Sequence, residues 1–530
     1  MLFYVKGWRK MNFVDLEIPF DEAENYLKPG NKEKLNKLFY KDFNFEKLLL
    51  DTTYYLIGEK GSGKTAYSVY FCNNSFNNTR SSRYVITVDD YCKIIQMKKD
   101  GKLNYTHYVT LWKAIILLKL FATINENEIS AWGSKAFSSI KGLLKTYNFT
   151  EITADGFSPV SLMDNVSFSN ELSQEAGLAG VAKIGGGTKA NSESQTSVQK
   201  HIYFDGWVKF INAISKDLVN LRLKNHHYLF IDGIDSRPSD IPYAEYKECV
   251  YPLVRAIYEI NNDILSRIKE RKRGRLQVIL LTRLDIFIKS GLSNPGSKIS
   301  DNSAFLNWSV FNETSYRNSN LFNLAQNMLF SSATNSNPSW DDYFNFTLSK
   351  GTQTWPSFVY FARITTCKPR DFVRIFKIAQ EQCRNSQIAN PTQKLLTSDI
   401  FNRAYSTYFV DSVRTGLSFY YNENEIKVLF SFLKQFRKLS FSYSDIASFL
   451  KKHPQKNLLI STFGEIDDIL NLLYEHNIIC VVEKNKYIRW KHRETTIANY
   501  DYSLSSEFLT NQVNFTFHPA LEKEFGLYLK

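Results

Sequence analysis

The chain has 530 residues, a formal net charge of +13, and a composition that is 43% hydrophobic, 22% charged and 15% aromatic. That length exceeds one ordinary domain, and that apolar share excludes a disordered or fibrous chain. The cationic excess points either to an anionic partner such as nucleic acid or to a lysine-rich solvated surface.

Residues Met1–Lys10 carry no apolar run of the signal-peptide kind, so no secretory leader is expected. A helix over Phe43–Asp51 leads into a strand, Thr53–Ile57, rich in aromatic and β-branched residues. A Gly-rich turn follows, then a helix from Lys64 to about Cys72 and a second strand over Arg83–Val88. Tyr108–Ile124 reads as a long helix. Its apolar stretch is too short, and too interrupted by Lys113 and Lys119, to span a bilayer. A cytoplasmic protein without membrane contact is expected. Between Asn165 and Lys200 the composition shifts to Gly, Ala and Ser, which reads as a disordered loop, a small inserted hairpin or a contact that orders on assembly.

Helical periodicity returns over Asp205–Arg222, followed by an apolar strand at Tyr228–Ile231. Tyr251–Arg273 reads as one amphipathic helix. It ends in a basic run, Arg267–Arg275, that either complements the helix dipole in solvent or touches nucleic acid or a subunit. Leu276–Thr282 is apolar throughout, as in a strand buried inside a parallel sheet. Strands are expected to end after about Asn302, with helices from Leu321 to Tyr420 and one over Asp371–Cys383. The last segment predicts helices at Asn424–Phe436, Ser444–Leu450 and Phe463–His476, then a hairpin over Ile478–Trp490. The six cysteines are scattered without zinc-type spacing and are expected reduced.

Four segments carry chemistry. Gly58-Glu59-Lys60-Gly61-Ser62-Gly63-Lys64-Thr65, followed by Ala66, fits G-x-x-x-x-G-K-[ST] at every fixed position. Such a loop wraps phosphate oxygens in backbone N–H groups, and the following helix aims its positive end at the same charge. Lys64 would reach the β- and γ-phosphates of ATP, and the Thr65 hydroxyl would ligate Mg²⁺. The strand Tyr228–Ile231 ends in Asp232, which would hold the metal shell. Gly233 follows where many ATPases place a catalytic Glu, so water activation falls to Asp235, whose other reading is a loop cap. Arg283, at the tip of the Leu276–Thr282 strand, is either a γ-phosphate sensor or a surface salt bridge. Arg370 sits in Lys368-Pro369-Arg370-Asp371 at a helix start, from which an Arg can swing toward phosphate.

Together the IGEKGSGKTA loop, the FIDGID and LLTRLD strands and the PRD helix start resemble a bacterial P-loop ATPase. The group is AAA+ and STAND, akin to origin-recognition and defence-island ATPases. The resemblance covers about Phe43–Arg384, and it implies sensor roles for Arg283 and Arg370. The Asp232-Gly233 pair departs from the Asp-Glu of motors and favours a switch over fast turnover.

The expected fold is α/β. It comprises an N-terminal segment (1–42), a P-loop core with a central parallel sheet (43–301), a helical lid (302–422) and a winged-helix-like domain (423–530). In the last, Lys484, Lys486, Arg489, Lys491 and Arg493, with Tyr487 and Trp490 among them, could track a phosphate backbone. Against this, Glu465, Asp467 and Asp468 lie near the start of the third helix, where bases would be read. The expected activity is Mg²⁺-dependent ATP hydrolysis driving a switch in assembly or in DNA or RNA engagement, in antiphage defence or DNA maintenance. The alternative is a nucleotide-gated scaffold for a partner effector with little turnover. A homo-oligomer is expected in either case.

Overall fold

Apolar runs of four to seven residues separated by helices leave one economical arrangement, a parallel sheet with helices packed on its faces. The computed structural model describes residues 11–100, 103, 107–146, 207–268, 274–309, 312–329, 338–350, 352–483, 488–500, 504 and 513–528. Its central sheet has five parallel strands: β1 (Tyr55–Gly58), β2 (Thr79–Val85), β3 (His226–Asp232), β4 (Leu276–Thr282) and β5 (Ser303–Leu306). They run in the order β2-β3-β4-β1-β5. The chain divides into two units. One comprises Asn44–Ile57 and Lys64–Phe305; the other comprises Met1–Phe43, Gly58–Gly63 and Leu306–Lys530.

In the first unit β4 is buried along its whole length, as its unbroken apolar pattern predicts. Each Leu or Ile removed from water there contributes roughly 1.5–3 kcal/mol before entropic costs. β4 pairs with β3 on one side and with β1 on the other, through Tyr55↔Leu280 and Ile57↔Thr282. On the β1 side that pairing begins only near Leu280, which would leave Val278 N–H unsatisfied. Asn261 supplies the missing acceptor: its Oδ1 takes Val278 N–H at 3.0 Å, and its Nδ2 donates to Val278 O and Ile257 O, each at 2.9 Å. This accounts for a correction. The helix expected over Tyr251–Arg273 instead spans Tyr243–Glu259 and loosens into a π turn at Ile260–Ile264, where Asn261 turns inward to the strand. The Tyr108–Ala122 helix packs against it, Trp112 Nε1 donating to Cys249 O at 2.8 Å.

Strands do not end at Asn302. β5 follows at once, and a two-stranded hairpin forms from β6 (Thr347–Lys350) and β7 (Gln353–Pro356). Both lie in segments whose Ser, Thr and Asn content hides the alternation.

The second unit joins the expected lid, the C-terminal region and the N-terminal segment. Phe13 packs edge-on against Tyr343, Phe344 and Phe376, and Gln380 Nε2 donates to the carbonyls of Phe13, Val14 and Leu16. The longest helices here are Pro369–Asn385 and Asp399–Leu417. Before the expected hairpin come Glu423–Phe436, Tyr443–Lys452, Lys456–Phe463 and Ile466–Glu475, one helix more in that stretch than the sequence suggested. Asn422 and Ser442 cap the first two, each in a reciprocal box with an acidic residue three positions on.

The expected hairpin is present as β9 (Ile479–Val482) and β10 (Ile488–Arg489). It belongs to a four-stranded antiparallel sheet with β8 (Ser440–Ser442) and β11 (Asn514–Phe517), in the order β10-β9-β11-β8. The sequence missed β8 and β11, because three and four residues are too few to set up a period. The Gly/Ala/Ser-rich segment 165–200 lies outside the described residues, as do 269–273 of the basic run. Among the described residues no helix is long and apolar enough to cross a membrane. All six cysteines are free thiols.

Candidate functional site

β1 ends at Gly58 and the Lys64–Asn73 helix begins six residues later, so Glu59–Gly63 form the strand-to-helix turn that the glycine spacing predicts. Gly61 has φ +85°, a left-handed backbone that glycine alone adopts freely. In the unit containing residues 58–63 the turn is held from two directions. Trp308 Nε1 donates to Ser62 O at 2.9 Å, and the N–H of Arg370 donates to Gly61 O at 3.3 Å. A Cβ on Gly61 would lie 3.3 Å from Arg370 Cβ, so the helix bearing Arg370 starts directly against the turn. The Arg370 guanidinium lies 3.6 Å from Glu22. Asp371 is structural: it accepts from Thr366 N–H and Oγ1 and from Tyr408 OH, fixing the helix start.

The other unit carries the rest of the predicted set. Although β4 separates β1 from β3, Thr65 and Asp232 meet, with Thr65 Oγ1 donating to Asp232 Oδ2 at 2.9 Å. Two strand spacings, roughly 10 Å, are bridged because the helix after the turn folds back over the strand tips. Asp232 Oδ1 accepts Gly233 N–H at 2.8 Å. Lys64 is buried, with Nζ 3.5 Å from Asp235 Oδ2. Thr65, Asp232, Lys64 and Asp235 are therefore one cluster.

Gly233 has φ +95°, and a Cβ there would stand 2.7 Å from Ile86 O. The phenols of Tyr91 and Tyr246 donate to Gly233 O (3.5 Å) and Ile234 O (3.3 Å). Burial raises both phenol pKa values, keeping them neutral donors. No side chain, and so no glutamate, fits at 233, and the carboxylate that reaches Lys64 comes from position 235.

Sequence reasoning missed Arg83, on β2. Parallel register pairs Val85 with Asp232 and Arg83 with Phe230, and alternation turns Arg83 and Asp232 to one face. Arg83 NH2 reaches Asp232 Oδ2 at 3.0 Å, with the guanidinium almost fully buried. An arginine in a strand was the available signal; its partner required the register.

Arg283 follows β4 directly. It is buried and held by Asp285, two residues on, with Nε to Oδ1 at 3.0 Å and NH2 to Oδ2 at 2.5 Å. The salt-bridge reading describes it, though the bridge is interior. Of the cations expected on a wing, Lys484 and Lys486 lie outside the described residues. Each of the other three has a carboxylate partner: Arg489 with Glu483 (2.6 Å), Lys491 with Glu475 (2.9 Å) and Arg493 with Glu313 (3.7 Å). Trp490 is buried edge-on against His518. Asp467 accepts from Tyr443 OH, and Asp468 caps its helix at Glu465 N–H. Arg275 of the basic run is spent internally on Leu49 O and Tyr228 OH.

A hydroxyl and a carboxylate oxygen within 3 Å are the hard donors that Mg²⁺ takes, so Thr65 and Asp232 fit that ion. No group of three or more His, Cys, Asp or Glu among the described residues could hold a metal. Any ion here would need phosphate oxygens and water to complete its shell. Comparisons with protein-family models, curated proteins and solved structures find no significant match.

Proposed function

We propose that the chain is a P-loop ATPase of the AAA+ and STAND type, binding Mg²⁺–ATP at the Gly58–Thr65 loop and Asp232. The observation that carries the reading is the 2.9 Å contact of Thr65 Oγ1 with Asp232 Oδ2, beside a buried Lys64. The two residues lie far apart in sequence, yet they meet, as coordination of one nucleotide-bound metal would require. Magnesium would supply Lewis-acid stabilisation of charge on the transferring phosphoryl group. The chain's own groups do the rest. Backbone N–H groups of 58–63 cradle phosphate, Lys64 neutralises its charge, and Asp235 accepts the proton of the attacking water.

On this reading the Pro369–Asn385 helix belongs to a lid, and the helices and sheet after 423 form a winged-helix-like module. The outcome is a switch in assembly or nucleic-acid engagement, in defence or DNA maintenance, with the biological setting drawn from the resemblance alone. A second reading, a nucleotide-gated scaffold for an effector, is favoured by Gly233, which excludes the usual catalytic glutamate. Calorimetric titration with ATP and Mg²⁺ tests the first. Binding should be measurable in wild type and roughly ten- to hundred-fold weaker in Lys64→Ala, with unchanged circular dichroism. Absence of nucleotide binding by wild type would overturn both readings. Steady-state turnover with and without DNA or RNA separates switch from scaffold.

A further inference from the structure

The four charges of the cluster are closed on one another. Lys64 faces Asp235, and Arg83 faces Asp232, so the formal charges of these four cancel. Asp232 is also engaged on both oxygens: Oδ2 accepts from both Thr65 and Arg83, and Oδ1 accepts from Gly233 N–H. A divalent cation arriving alone would meet a carboxylate already neutralised by a guanidinium 3.0 Å away, and would have to displace that charge to reach Oδ2. A nucleotide polyphosphate changes this balance, because its negative charge gives both Arg83 and the metal a partner.

We propose that Arg83 is a built-in stand-in for the metal. It occupies the metal-facing oxygen of Asp232 and makes divalent-cation binding conditional on a nucleoside polyphosphate. Arg83 holds Asp232 and, through it, the Thr65 hydroxyl in their ligating arrangement while no ligand is present, and yields Oδ2 when phosphate enters. It is a positioning residue that acts through Asp232. The proposal deepens the ATPase reading and rests on it.

The probe is Mn²⁺, whose free-ion paramagnetic resonance signal is titrated against the full chain without nucleotide and again with ATP. Wild type should take up Mn²⁺ only with ATP. Arg83→Ala should take it up without nucleotide, at least about ten-fold tighter than wild type, because the competing charge is gone. Arg83→Lys, a shorter cation without the planar fork, should fall between them. Adding Asp232→Asn to Arg83→Ala should abolish the gained binding. Equal nucleotide-free Mn²⁺ uptake by wild type and Arg83→Ala would overturn the proposal, as would gained binding that survives Asp232→Asn. If Arg83→Ala does not fold, the Arg83→Lys comparison decides alone. Failure of wild type to bind ATP at all would instead remove the ATPase reading, so the two failures are distinguishable.

Discussion

Lys64 Nζ stands 3.5 Å from Asp235 Oδ2, so the lysine expected to grip phosphate is held by the carboxylate expected to activate water. Each masks the other until an anion competes for Lys64. On the proposed ATPase reading, freeing Asp235 would be coupled to filling the site. Asp235→Asn should reduce single-turnover hydrolysis at least about hundred-fold while leaving ATP affinity equal or tighter, because the competitor for Lys64 is lost. Turnover at the wild-type rate would move the base elsewhere.

Position 233 gives a test in the opposite direction. Gly233→Ala should lower stability by about 1–3 kcal/mol, since φ +95° and the 2.7 Å approach to Ile86 O both oppose a Cβ. Thermal unfolding followed by circular dichroism measures this. Restoring the motor-like residue with Gly233→Glu should destabilise further and bring no gain in turnover. A stable, faster Gly233→Glu protein would contradict the geometry.

Trp308 contributes through a single hydrogen bond to the turn, its indole N–H reaching Ser62 O at 2.9 Å. Trp308→Phe keeps most of the ring and removes the donor, a change of about 1 kcal/mol. Because the carbonyl it releases belongs to the turn proposed to bind phosphate, ATP affinity should fall about five-fold. Unaltered affinity would mean that the turn holds its shape without the indole.

His492 sets a pH dependence in the C-terminal region. It is buried, with Nδ1 2.7 Å from Asn477 Oδ1, and burial, reinforced by Arg493, holds its pKa well below the usual value. In the unfolded chain the ring titrates near about 6.5. The unfolded state therefore binds the extra proton first, and stability falls as pH drops below about 6.5 and continues to fall until the folded ring itself protonates. Chemical denaturation between pH 7.5 and 5 should show this slope, and His492→Gln should flatten part of it. An identical slope in the variant would assign the effect to the other buried histidines.

Strands β1, β3 and β4 of the central sheet were readable from the residues because each carries an apolar or aromatic run, and β4 fits its expected span residue for residue. β2 was misplaced by several residues: it begins at Thr79 and is only partly buried, with serines and arginines that blur the period. The Gly58–Thr65 turn and Asp232 could be found because glycine spacing and a strand-ending carboxylate are local patterns. Arg83 could not, since its role depends on the β2–β3 register, which local pattern does not encode. The cations near Trp490 show the same dependence on tertiary structure. Clustered cations in sequence suggested a phosphate track, yet the described ones have carboxylate partners brought from Glu475, Glu483 and Glu313.

The pairing of Tyr55 with Leu280 also has a temporal meaning. During synthesis at roughly 5–20 residues per second, β1 leaves the ribosome on the order of tens of seconds before β4 exists to cover it. Until then Tyr55, Leu56 and Ile57 form an uncovered apolar strand, and closing the intervening chain is the slow, non-local kind of contact. Nascent chains halted before Leu276 should thus be held by chaperones or aggregate, and the Thr65–Asp232 contact can be made only after β3 has emerged.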